Sequence, residues 1–147
     1  MVSLFRVEHR ITRLGPHWVE YVPYQFGSGS WPYIHGHEME IQRWGVQCRW
    51  GFATLDQMMR WFPRIREATN NEWCVVEIEI AEEYFRADTN QCIFHNDHAN
   101  RLRDIAFNEL QELIDAEARE WAVREAIAFC QKPEADTRKY LYGEWNA

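Results

Sequence analysis

Between residues 72 and 81 the chain alternates with a period of two. Cys74, Val76, Ile78 and Ile80 fall on one side, Glu77 and Glu79 on the other. That period belongs to a strand with one buried face. Such a strand cannot stand alone: its N–H and C=O groups need ladder partners, and its apolar side needs a covering layer. A sheet is therefore required, and the other segments are read by what they add to it. Paired carboxylates on a strand can act as acid and base, but the solvated face of a sheet accounts for Glu77 and Glu79 without chemistry.

Val2–His9 reads as a first strand, with Phe5 and Val7 on one side and Leu4, Arg6 and Glu8 on the other. Its two charges suit an edge strand whose outer face meets water. Leu14-Gly15-Pro16 marks a turn, and residues 17–24 are strand-like up to Pro23. Residues 26–47 are expected to be irregular and loop-like. At Gly51-Phe52-Ala53 the chain turns into a helix. Thr54-Leu55-Asp56-Gln57 has the form of a capping box, and Asp56 adds a favourable charge in the first turn. Leu55, Met58, Met59 and Phe62 keep helical spacing, Pro63 limits the helix, and Phe52 is placed to staple onto Met58 or Met59. Residues 82–90 read as a turn and 91–95 as a short strand. From Asn96 to about Gln131 the pattern is helical, with Leu102, Ile105, Ala106, Leu110, Leu113, Ile114 and Trp121 at spacings of three and four. The aromatic tail, residues 140–145, is expected to dock on the domain or on a partner. The architecture is α+β: a small, mostly antiparallel sheet, one mid-chain helix and a long C-terminal helix, in a single domain over residues 1–147.

The net charge of -7 argues against direct binding of nucleic acid or anionic membrane, which needs a positive footprint. It fits a protein that docks on a basic surface. Eight tryptophans in 147 residues exceed what a core of this size easily hides, which puts some of them at a binding surface or at half-exposed core edges. Cys48, Cys74, Cys92 and Cys130 form no CxxC pair and fit reduced, buried thiols in a cytoplasmic protein. The first residues lack the layout of a signal peptide, and no apolar run is long enough to span a bilayer.

There is no Gly-rich phosphate loop, no G-x-S-x-G and no H-E-x-x-H. Cys92 and His95, three apart on a strand, face opposite sides. His35, His37 and Glu38 are metal-ligand types, but no third ligand joins them at a recognised spacing, so no metal is expected. One order of motifs points further. A first strand carries Arg6 and His9, Phe52-Ala53-Thr54 opens a helix, and a late strand begins Asn90-Gln91-Cys92. That order resembles the small ADP-ribosyltransferase-like proteins, some of them encoded by phages and toxin loci. The resemblance covers residues 2–95. It implies NAD as cofactor, with Arg6 (or His9) holding the nicotinamide side, Thr54 supporting the pocket and Gln91 at the position of the ribose-orienting glutamate. The chain departs from the family there, because glutamine cannot carry the charge that stabilises an oxocarbenium-like transition state.

Two functions follow as expectations. The first is a non-enzymatic inhibitor, without cofactor, that occludes the functional surface of another protein, such as a basic nucleic-acid-binding one. Trp31, Tyr33, Trp44, Trp50 and Trp145 would supply the contacts. Small acidic anti-defence proteins of phages, anti-CRISPR inhibitors among them, fit that description by analogy. The second is a mono-ADP-ribosyltransferase, or a nucleotide-binding relative, using Arg6, Thr54 and Gln91.

Overall fold

The computed structural model describes residues 1–16, 36–65 and 72–131. The strand-like residues 17–24, Trp31, Tyr33 and His35, and the tail with Trp145 lie outside the described residues. The chain divides into two compact units, Met1–Leu113 and Ile114–Ala147.

The first unit is built from β1 (Val2–His9), α1 (Glu38–Trp44), β2 (Cys48–Gly51), α2 (Leu55–Trp61), β3 (Trp73–Ile80), β4 (Phe85–Ala87), β5 (Cys92–His95) and β6 (Asn100–Ile105). The strands form two antiparallel sheets, ordered β1-β3-β6 and β2-β5-β4. The fold is α+β as expected, with two small sheets rather than one. Among the described residues a single isolated bridge joins them: Phe5 and Phe52 exchange two backbone hydrogen bonds of 2.7 Å. In the register of β1 on β3, Leu4 lies opposite Ile78, Arg6 opposite Val76 and Glu8 opposite Cys74. These residues share one face, and Cys92 and Phe94 of β5 pack with Leu4, Cys74, Val76, Ile78 and Ile80 in one core cluster. The alternation of β3 thus buries the side it was expected to bury. Glu77, on the other side, pairs with Arg103 across the ladder at 2.6 Å.

α2 begins as its sequence dictates. Thr54 Oγ1 accepts from the Gln57 N–H at 3.1 Å, and Gln57 Oε1 accepts from the Ala53 N–H at 2.9 Å. The reciprocal cap closes one residue earlier than in the standard capping box, in which the side chain returns to the cap residue itself. Phe62 ends the helix before Pro63, its N–H on the Met58 carbonyl at 2.8 Å. Phe52 packs edge-on against Phe62 and at a tilt against Trp61.

Five local expectations are corrected. Residues 100–105 form β6, not the start of a helix. Pairing with β3 overrides the helix propensity of Arg and Leu, and Leu102, assigned to a buried helix face, is exposed. Residues 38–44 form α1 within the stretch read as loop, and residues 85–87 form β4 within the stretch read as turn. The side of β1 bearing Arg6 and Glu8 is buried, because the charges there satisfy one another. Cys48, Cys74 and Cys92 are buried as expected, but Cys130 is exposed.

The long helix, α3 (Leu110–Cys130), opens in the first unit, where Leu110 is buried. The described part of the second unit is the rest of this helix. From Ile114 on it buries no residue, and Trp121, Val123 and Ile127 are exposed. Among the described residues no helix is long and apolar enough to cross a membrane.

Candidate functional site

Glu8 is the hub of the site. It is fully buried, and an isolated carboxylate there would be untenable. Its Oε2 accepts from Arg6 Nε at 3.0 Å and Arg101 Nη2 at 2.7 Å, and its Oε1 accepts from Arg101 Nε at 2.9 Å. Arg13 Nη1 stands 3.8 Å from Oε1, while the Arg13 guanidinium holds Asp104 with two bonds of 2.8 and 2.9 Å. Those bonds keep the Asp104 carboxyl below its ordinary range. Arg6 Nη1 donates to the Trp50 carbonyl, and the guanidinium lies 5.9 Å from the centre of the Phe94 ring. Burial pulls the Arg6 pKa down to about 10, although Glu8 pushes it the other way.

Arg6 also forms part of the wall of a cavity of about 70 Å³, together with Trp50, Phe52, Trp61, Arg49 and Gln91. Two glycines fit the chain closely around it. A Cβ on Gly51 would lie 2.9 Å from both Leu4 and the Phe5 carbonyl, and one on Gly15 would lie 2.9 Å from Arg6 Nη2. Gln91 is positioned by a tight turn in which Asp88 Oδ1 accepts from the Asn90 and Gln91 N–H groups at 2.7 and 2.8 Å. The Trp50 indole N–H is buried without a hydrogen-bond partner among the described residues.

Of the three residues matched to the transferase motifs, Arg6 and Gln91 meet on this cavity. Thr54 is not among its lining residues and serves as the helix cap. His9, the alternative to Arg6, packs edge-on against Trp73, and its Nδ1 accepts from the Ile11 and Thr12 N–H groups at 3.2 and 3.3 Å. Of the tryptophans expected to meet a partner, Trp50 lines the cavity. Trp44 is half-buried against Cys48 and Ile93, edge-on to His95, with Arg86 above its ring. Trp31, Tyr33 and Trp145 lie outside the described residues. His37 stands 3.9 Å from Glu40, and among the described residues no three His, Cys, Asp or Glu side chains are grouped to hold a metal.

Sequence reasoning missed Glu8 as the hub; the signal was a second charge two residues from Arg6, hence on the same strand face. It also missed an aromatic cluster in which Tyr84 stacks on His98 at 3.6 Å and His95 stands 4.9 Å from His98. Burial pushes the Cys92 thiol pKa up, away from the reactive thiolate.

No curated protein and no solved structure matches the chain. Nothing in these comparisons indicates an ADP-ribosyltransferase. Residues 1–108, which hold both sheets, the Glu8 hub and the cavity, match the family described as Bacteriophage T4 Y00F protein, and the chain belongs to that family.

Proposed function

We propose that this phage protein acts by binding another protein and occluding its functional surface, as an inhibitor of the anti-defence type, without cofactor or catalysis. The observation that carries the reading is the helix from Ile114 on. None of its residues is fully buried; Trp121 is 63 % exposed, and Val123 and Ile127, four apart on another side of the helix, are exposed as well. Tryptophan at a surface is the residue type most enriched in binding hot spots. The partner suggested by a net charge of -7 carries a basic surface, such as one that binds nucleic acid.

The test is affinity capture from host extract, comparing the natural chain with a Trp121→Ala, Ile127→Ala double variant of unchanged circular dichroism. A partner retained by the first, released by salt and weakened about thirtyfold in the variant is the expected result. Equal capture by both, or capture of nothing, overturns the reading.

The NAD reading has one observation in its favour, the meeting of Arg6 and Gln91. Against it stand a cavity well below the roughly 300 Å³ of small ligand pockets, Arg6 Nε and Nη1 already engaged by Glu8 and the Trp50 carbonyl, and a neutral Gln91. Transfer of label from NAD to any protein by the purified chain would restore it and displace the binding reading.

A further inference from the structure

We propose that the cavity beside Arg6 is a binding site for a small organic monocarboxylate, its acid group on the open edge of the Arg6 guanidinium and its apolar body against Trp50, Phe52 and Trp61. This goes beyond the protein-binding reading and does not depend on it.

Three observations converge. The first is an imbalance of charge. Arg6, Arg13, Arg101 and Arg49 lie together, and among the described residues the carboxylates paired with them are Glu8 and Asp104. The described residues that line the cavity include two arginines, Arg6 and Arg49, and no acid. Glu8 pairs with Arg6 but is shared with Arg101, so the cluster holds more guanidinium than carboxylate among the described residues, which favours an anion beside it.

The second is an open set of donors. Arg6 Nε is engaged by Glu8 and Nη1 by the Trp50 carbonyl, whereas Nη2 has no hydrogen-bond partner among the described residues. It lies so close to Gly15 that a Cβ there would stand 2.9 Å from it. Guanidinium edges match carboxylates in shape and charge.

The third is the character of the walls. A cavity of about 70 Å³ has room for roughly five waters. Each water needs two to four polar partners, and Trp50, Phe52 and Trp61 present chiefly ring surface. A four-carbon acid satisfies both ends of the cavity. Inorganic phosphate satisfies only one, because it would set a fully hydrated anion against the rings.

The experiment follows the arginine Nε–H and tryptophan indole N–H signals of the isotopically labelled chain by NMR. Sodium butyrate is added at constant ionic strength, with butyramide and inorganic phosphate as controls. Butyrate is expected to shift the Arg6 and Trp50 signals saturably, with a dissociation constant on the order of millimolar. Butyramide lacks the charge and phosphate lacks the apolar body, so each binds at least about tenfold more weakly. Gly15→Ala, whose Cβ would crowd Nη2, is expected to weaken butyrate about tenfold. If that variant does not fold, Trp61→Ala, on a half-exposed position, removes one wall and is expected to weaken butyrate several-fold. Absence of a saturable shift up to about 100 mM, equal binding of butyramide or phosphate, or unchanged affinity in the folded variant overturns the proposal.

Discussion

Replacing Glu8 by glutamine keeps the shape of the side chain and removes its charge. Glu8 is fully buried and accepts three charge-assisted hydrogen bonds of 2.7 to 3.0 Å from Arg6 and Arg101. In the variant one oxygen remains to accept, while the new amide turns N–H groups toward arginine N–H groups. Arg6, almost fully buried, is left without its counter-ion. Breaking a buried ion pair in this way costs about 3–5 kcal/mol. At about 3 °C per kcal/mol for a chain of this length, Tm falls by roughly 9–15 °C. Thermal unfolding followed by circular dichroism measures it. Arg103→Gln is the matched control: the Arg103–Glu77 pair is equally short, at 2.6 Å, but half-exposed, and is worth under about 1 kcal/mol. A Glu8→Gln variant no less stable than Arg103→Gln would refute the hub.

Three further perturbations test the surroundings. Gly51→Ala places a Cβ 2.9 Å from Leu4 and from the backbone oxygen of Phe5, and that backbone is held by the bridge to Phe52, so a loss of about 1–3 kcal/mol is expected in urea unfolding. Arg13 holds the Asp104 carboxyl below its ordinary value of 3.8. A depressed folded-state pKa contributes stability that is present above the unfolded value and lost as the pH falls through the folded one. The natural chain is therefore expected to exceed Asp104→Asn by at most about 1 kcal/mol above pH 4, with the gap closing toward pH 2; a gap unchanged over that range would contradict the assignment. Burial raises the Cys48 and Cys74 thiols to about 11 and raises Cys92 as well, whereas Cys130 is exposed. Iodoacetamide at pH 8 should add one adduct to the folded chain, at Cys130, by intact-mass measurement, and further adducts before unfolding would contradict the burial of the other three.

What could be read from the sequence was local. β3 declared itself by its period of two, and α2 by a threonine and a glutamine three apart, because a strand face and a helix cap are written within a few residues. β6 was not readable in this way. Residues 100–105 suit a helix by propensity, and only the presence of β3 beside them makes a strand. The site divides along the same line. Arg6 and Glu8 were visible as two charges on one strand, but the residue that makes their burial tolerable, Arg101, lies 93 positions from Glu8. The pairing of Arg6 with Gln91 on one cavity came from motif order; the cavity itself depends on Gly15, Trp50 and Trp61, which no spacing rule connects.

The register of β1 on β3 also sets the order in which the chain can fold. Val2 faces Ile80 and His9 faces Trp73, so every rung of that ladder closes a loop of roughly seventy residues. β1, made before β3, therefore waits for the strand that must receive it. Until then Leu4 and Glu8 lack their partners on β3 and β6, among them Ile78, Cys74 and Arg101, and a stalled or truncated chain ending before Trp73 leaves that face of β1 uncovered. Contacts so distant in sequence slow folding relative to helical chains of equal size. A change in β1 is therefore expected to be felt in folding kinetics as well as in final stability.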